Sequence, residues 1–185
     1  MFVVLTGGAR SGKSAAAAAM AAAGDAPVVV LATAEAGDDE MAERIRLHRS
    51  ARPAEWTVVE EPLDLVGAIA ATGVGATLVV DCLSLWLSNL MADGNRSPAH
   101  DRSMLGAADE LAESLSTRPG LSIVVTNEVG SGIVPANASA RRFRDLLGSV
   151  NQRMVGAADR AYLCVAGQLV ELRTPAGTFE GSGPW

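Results

Sequence analysis

The sequence predicts an α/β fold: a single domain with a mainly parallel sheet flanked by helices and closed by an antiparallel C-terminal hairpin. Three observations predict it. Short, β-branched apolar runs alternate with helical patterns along the chain, and near-continuous apolar strands in such alternation belong to a parallel sheet covered on both faces. A Gly-rich turn joins the first apolar run to the first helical pattern. Only Ala166-Gly167 separates the last two runs, which is a hairpin signal.

The elements follow in order. Phe2–Thr6 is an apolar strand, and the alanine-rich Gly12–Ala23 a helix. Pro27–Ala32 is the second strand, Asp39–Arg49 the second helix and Thr57–Glu60 the third strand. Leu63–Ala71 reads as a helix, Thr77–Val80 as a strand and Leu83–Met91 as a helix. The polar Asp93–Pro98 reads as a loop before a helix over Asp101–Ser116. Leu121–Thr126 is a strand, Ser139–Ala158 a helix, and Arg160–Val165 and Gln168–Leu172 are the closing strands. Residues 1–173 form the domain, and Thr174–Trp185, rich in Gly and Pro, reads as an irregular tail. No repeat or linker divides the chain.

Composition narrows the function classes. A length of 185 residues suits one domain, and 49% hydrophobic with 19% charged residues is globular. A formal charge of −6 and an aromatic content of 4% argue against nucleic-acid binding, which draws on basic faces and stacking platforms. Cys82 and Cys164 are too few for a disulfide framework or a zinc site. Ala15–Ala23 is too short to span a bilayer, and no other apolar stretch reaches that length. The expectation is a cytoplasmic protein without a membrane span.

Gly7-Gly8-Ala9-Arg10-Ser11-Gly12-Lys13-Ser14 matches G-x-x-x-x-G-K-S. In this phosphate loop the glycines let backbone N–H groups close on phosphate oxygens, and the helix that follows adds its positive end. The Lys reaches the β- and γ-phosphates, and the Ser hydroxyl ligates Mg²⁺. Lys13 is the only lysine among the 15 Lys and Arg residues, and a compact ammonium is not interchangeable with guanidinium at a phosphate. A second carboxylate beside the metal belongs at the end of a neighbouring strand. Asp81 ends Leu78-Val79-Val80-Asp81 and fits, although an aspartate starting the next helix looks the same.

His48 lies in Arg44-Ile45-Arg46-Leu47-His48-Arg49-Ser50-Ala51-Arg52, four arginines and a histidine in nine residues of an acidic chain. At helical spacing Met41, Ile45 and His48 share a face. A neutral imidazole beside phosphate-binding arginines is a nucleophile for an α-phosphate, with pyrophosphate leaving. A packed histidine on an Arg-rich helix has the same spacing. His100 carries no expected role.

Gly7–Ser14, the segment Asp38-Asp39-Glu40-Met41 leading to Arg44-Ile45 and His48-Arg49, and Arg52-Pro53-Ala54-Glu55-Trp56 combine with Val125-Thr126-Asn127-Glu128-Val129-Gly130-Ser131-Gly132-Ile133-Val134-Pro135. With Phe143-Arg144-Asp145 and Val150-Asn151-Gln152-Arg153, they resemble the bifunctional adenosylcobinamide kinase/adenosylcobinamide-phosphate guanylyltransferases of cobalamin biosynthesis. The resemblance covers residues 2 to 172 or so. The phosphate loop is shared by many NTPases, whereas the histidine segment with T-N-E-V-G-x-G-I-V-P is far more specific.

The resemblance implies a RecA-like P-loop fold, Mg²⁺ with GTP or ATP, and a homo-oligomer, commonly a trimer. It implies two reactions. ATP or GTP phosphorylates the hydroxyl on the aminopropanol arm of adenosylcobinamide. GMP from GTP then passes, through a guanylylated histidine, to adenosylcobinamide phosphate, giving adenosylcobinamide-GDP and pyrophosphate. The match puts that nucleophile at His48. It puts the nucleotide contacts at Gly7–Ser14, at Ala32-Thr33-Ala34, at Arg49-Ser50-Ala51-Arg52, at Glu60 and at Asp81, with metal contacts at Ser14 and Asp81. The alanine-rich first helix and the tail depart from the family pattern.

Thr33 and Glu60 follow or end strands, so both fall on the ligand-bearing edge of the sheet. A carboxylate there would accept from guanine N1–H and N2–H₂, and Glu61 has nearly the same position. Asn127, Glu128, Gly130 and Gly132 read either as a loop that senses phosphate or contacts cobinamide, or as a structural turn. Arg141, Arg142 and Arg144 have phosphate or Asp145 as candidate partners and are expected mostly in structural roles. Two other readings compete: a P-loop kinase of another small molecule, and a RecA-like NTP-dependent switch module.

Overall fold

Seven strands form one sheet in the order β3-β2-β4-β5-β1-β6-β7. The computed structural model describes residues 1–35, 37, 39–50 and 52–173, without the side chains of Glu40, Met41, Arg44, Leu47 and His48. The tail from Thr174 and the nucleotide contact expected at Ala51 lie outside the described residues. The strands are β1 (Phe2–Gly7), β2 (Val28–Ala32), β3 (Thr57–Glu60), β4 (Thr77–Asp81), β5 (Ser122–Val125), β6 (Arg160–Val165) and β7 (Gln168–Leu172). The helices are α1 (Lys13–Ala22), α2 (Asp39–Ser50), α3 (Leu65–Ala71), α4 (Leu83–Leu90), α5 (Pro98–Thr117) and α6 (Ala138–Ala157).

Every neighbouring pair is parallel except β6 with β7, which is antiparallel. The chain turns between these two at Ala166 (φ 50) and Gly167 (φ 78), the left-handed pair that a tight hairpin needs. The antiparallel C-terminal pair and the parallel body are both as the sequence predicts.

The strands explain their own burial. Successive residues point to opposite faces, so Phe2 and Val4 of β1 join one apolar cluster while Val3 and Leu5 join the other. The first cluster takes the apolar stripes of α3, α4, α5 and α6, including Leu87, Leu111, Leu147 and Met154. The second takes α1 through Ala17 and Ala21. Alanine has the highest helix propensity, and its short side chain lets α1 lie close against the sheet, which holds the turn before it near the strand ends.

Helix starts differ from expectation where a cap decides. α5 begins at Pro98, not Asp101, because the Ser97 hydroxyl accepts from His100 N and proline occupies the first turn. α3 begins at Leu65, not Leu63: Asp64 caps it by accepting from Gly67 N. Glu61 Oε1 holds the approach, accepting from Leu63 N at 2.9 Å and Asp64 N at 2.7 Å. α6 begins at Ala138 after Asn137, whose side chain accepts from Ser139 N and Ala140 N. His100 Nε2 lies 3.3 Å from Leu90 O and 3.4 Å from Asp93 Oδ1, so it ties α5 to the preceding turn.

Leu147 is fully buried in the larger cluster. Leu147→Ala is predicted to remove about 2–5 kcal/mol of stability. Urea unfolding should show a lower midpoint with an unchanged slope; an unchanged midpoint would contradict this packing.

Candidate active site: a phosphate loop facing an arginine helix

β1 ends at Gly7, and the turn Gly8–Gly12 leads into α1. Two positions dictate glycine. Gly7 has φ +151, and a Cβ on it would lie 2.4 Å from the carbonyl oxygen of Cys164. Gly12 has φ +100, and a Cβ on it would lie 3.1 Å from Gly167 Cα. The hairpin also bonds the loop directly: Gly167 N donates to Ser11 O at 2.8 Å, and Cys164 Sγ donates to the same oxygen at 3.0 Å. Gly12 is the N-cap of α1 and offers no capping side chain, so the positive end of the helix faces the loop without a side-chain acceptor on it. That is an anion site.

Lys13 is buried, and its ammonium donates to Gly7 O at 2.8 Å, Gly8 O at 2.7 Å and Ser11 Oγ at 3.4 Å. A buried ammonium needs such partners, and here they hold it inside the curve of the loop. Ser14 lies one residue on, on the lining of the same cleft.

The cleft has a volume of about 450 Å³, within the range that holds one drug-sized ligand. Residues Ala9 to Ala15 form one wall. Ala32, Ala34, Val58, Glu60, Val125 and Asn127 come from the carboxyl ends of the strands, the ligand edge of an open α/β sheet. Ile45 and Arg49 of α2, with Arg52 just beyond it, form the opposite wall; Asp81 ends β4, and Cys82 and Leu85 lie at the start of α4.

Among the described residues, two ion pairs cross this space, and exposure separates them. Arg49 Nη1 meets Glu60 Oε1 at 3.1 Å with side chains 61% and 58% exposed; such a pair contributes about 0–1 kcal/mol and yields readily to a ligand. Arg52 Nη2 meets Asp81 Oδ2 at 2.9 Å with both side chains 14% exposed. Water screens that pair less, and stranding either partner costs more. The other described arginine of the cluster faces away: Arg46 chelates Glu43, and that guanidinium holds the Glu43 carboxyl below the usual carboxylate range.

The expected site residues fall into distinct places. Ala9–Ser14, Ala32, Ala34, Arg49, Arg52, Glu60 and Asp81 line the cleft. Gly7 and Gly8 shape the loop behind that surface and offer their carbonyls to Lys13. Thr33 is fully buried, with Oγ1 donating to Cys82 O at 2.7 Å and accepting from Cys82 N at 2.9 Å, so its side chain joins β2 to the start of α4. Ser50 is exposed at the end of α2. His48 occupies α2 between Ile45 and Arg49. Between Glu60 and Glu61, the first lines the cleft while the second caps the turn before α3.

Sequence reasoning missed Ile45, Val58, Cys82 and Leu85 as lining residues. Apolar lining carries no motif, but Cys82 and Leu85 follow Asp81 so closely that its position was their signal. Burial pushes the Cys82 thiol up, and its Sγ sits 3.0 Å from Ser84 Oγ, so it stays a neutral wall. Asn127 is placed by a polar network: its Nδ2 donates to Ser84 Oγ at 2.8 Å, its carbonyl accepts from Asn151 Nδ2 at 3.0 Å, and Thr126 Oγ1 donates to Asn151 Oδ1 at 2.7 Å. Arg142 pairs with Asp101, Arg144 with Asp145, and Arg141 donates to loop carbonyls.

The sequence expects the second carboxylate on a neighbouring strand, but Asp81 ends β4, which β5 separates from β1; that aspartate, with a strand, a glycine turn carrying Lys13 and Ser14, and a helix over the turn, defines a P-loop nucleotide-using protein of the α/β class. The family model for cobinamide kinase / cobinamide phosphate guanyltransferase matches residues 3–172, and the chain belongs to that family. It is 40% identical over 171 residues to the bifunctional adenosylcobalamin biosynthesis protein CobP of Pseudomonas aeruginosa, covering 92% of this chain and 96% of that one. It is 39% identical over 183 residues to the bifunctional adenosylcobalamin biosynthesis protein CobU of Salmonella typhimurium, covering 94% of this chain and all of that one. Among solved structures, the Pyrococcus horikoshii OT3 protein PH0250 shares the fold with a TM-score of 0.55 at 8% identity, over 92% of this chain and 84% of that one.

Gly7→Ala is predicted to displace the loop and abolish GTP binding in titration calorimetry, while the far-UV spectrum keeps its helical content. A Gly7→Ala protein with the parent's affinity would contradict the steric argument.

Proposed function

We propose that this cleft holds the nucleotide for both reactions of the family and that His48 carries the guanylyl group in the second. In the first, the hydroxyl oxygen of adenosylcobinamide attacks the γ-phosphorus of ATP or GTP, the bond to the β-phosphate oxygen breaks, and the hydroxyl proton is lost to solvent. In the second, an imidazole nitrogen of His48 attacks the α-phosphorus of GTP and pyrophosphate leaves. A phosphate oxygen of adenosylcobinamide phosphate then displaces the histidine, giving adenosylcobinamide-GDP.

One observation supports this most: the helix that carries His48 also supplies Ile45 and Arg49 to the wall opposite Lys13 and Ser14. A phosphate chain on the loop therefore lies between two cationic walls. Lys13 and the start of α1 balance charge at one end. Arg49 and Arg52 supply forked donors for phosphoryl oxygens at the other. Glu60, released from Arg49, is placed to accept from the guanine edge and so favour GTP.

Among the described residues no cluster of three His, Cys, Asp or Glu side chains forms a metal cage. Mg²⁺ needs none, since it takes one or two carboxylates together with phosphate oxygens and water. The Ser14 hydroxyl and the Asp81 carboxylate are oxygen donors on the same cleft and would hold it, and the ion would supply neutralising charge at the phosphates. Asp81 meets Arg52 through Oδ2 alone, so its carboxylate would hold the ion while Arg52 offers its remaining donors to phosphate. No described helix is long and apolar enough to cross a membrane, which suits enzymes of small-molecule substrates in the cytoplasm. Assembly into a trimer is part of the same reading.

The test uses purified protein, Mg²⁺ and GTP labelled at the α-phosphate. The parent is expected to retain label after denaturation, lost in acid and kept in base as a phosphoramidate is, and His48→Ala to retain none. Absence of label on a folded, GTP-binding parent would remove His48 as the carrier. Lys13→Ala is expected to lower the rate of adenosylcobinamide phosphorylation by about 10²–10³-fold, the usual effect of losing one charge-stabilising donor.

A further inference from the structure

The segment between β5 and α6 carries more than its contribution to the nucleotide cleft. Asn127 at its start lines that cleft, and the next residue ties the segment to the phosphate-loop strand, Glu128 N donating to Gly7 O at 3.0 Å. Its far end is fixed too. Arg141 Nη1 donates to Pro135 O at 2.8 Å and Ala136 O at 2.7 Å, next to the Asn137 cap of α6. Between these anchors stand three exposed apolar side chains, Val129 at 39%, Ile133 at 97% and Val134 at 63% exposure. Three exposed apolar side chains within six residues of a loop anchored at both ends make it a candidate binding surface.

Volume decides what that surface takes. A cleft of about 450 Å³ is filled by one ligand of nucleotide size. The acceptor is a hydroxyl on a flexible arm of a large flat macrocycle, so the arm can enter beside a nucleotide while the ring must lie outside. Three side chains fall far short of the roughly 800 Å² per partner of a stable protein interface, so the occupant they suit is smaller than a protein. Val129 follows the cleft-lining Asn127 by two residues in the chain.

We propose that Val129, Ile133 and Val134 form the platform for the corrin ring of the acceptor, whose arm passes Asn127 into the cleft. The inference rests on the cobinamide reading above. It assigns acceptor binding to a segment distinct from the phosphate loop and from α2.

The full chain with Ile133→Ser and Val134→Ser together tests it, since both side chains are exposed and their loss leaves the core intact. Steady-state phosphorylation with ATP is expected to give a KM for adenosylcobinamide raised about tenfold or more, as loss of apolar contact area predicts. The kcat, the KM for ATP and the corrinoid-free uptake of α-label from GTP should stay at parental values. Normal label uptake with an unchanged KM for adenosylcobinamide would overturn the platform alone. So would a changed mass in light scattering, which makes the patch a contact between copies. A parent that neither takes up label nor phosphorylates adenosylcobinamide would overturn the functional reading and the platform with it.

Discussion

The shape of the phosphate loop depends on what lies behind it. The Cys164 carbonyl closes on Gly7, Gly167 closes on Gly12, and Ser11 O accepts from both the Gly167 amide and the Cys164 thiol. The loop therefore cannot open towards the sheet, and the Lys13 ammonium stays held inside its curve by the Gly7 and Gly8 carbonyls. A Gly-rich turn alone would be floppy, because glycine loses more conformational freedom on ordering than any other residue. Here the cost is offset by an antiparallel hairpin from the other end of the chain.

Charge is arranged on the same economy. The chain carries a formal charge of −6, yet Arg10, Lys13, Arg49 and Arg52 converge on one cleft that holds only Glu60 and Asp81 as described acids. A cleft of one sign in a protein of the other concentrates anions locally. The two acids keep the arginines ordered without a ligand. The exposed Arg49–Glu60 pair exchanges cheaply, whereas the shielded Arg52–Asp81 pair exchanges only against a ligand with enough charge to replace both partners.

Much of this was legible in residues. G-x-x-x-x-G-K-S fixed the loop because its spacing is set by backbone geometry around a phosphate, and the apolar runs fixed the strands because burial on both faces leaves little freedom in composition. Helix starts were less legible: Pro98 looked like part of a loop until Ser97 proved to cap it. Glu60 and Glu61 were inseparable in sequence, since only the position of α3 decides which one caps a turn. Thr33 had the right edge of the sheet, but its hydroxyl serves Cys82, a residue 49 positions away. Apolar lining such as Val58 and Leu85 leaves no trace that distinguishes it from ordinary core.

The order of strands has a consequence for synthesis. β1 is made first, yet both of its neighbours come late: Phe2 pairs with Ser122, and Val3 with Arg160. At about 5–20 residues per second, some 120 residues of further elongation leave Phe-Val-Val-Leu without either partner for about 6–24 s. This strand thus waits longest for its partners, and the nucleotide loop attached to it has no Cys164 or Gly167 behind it until the hairpin is made.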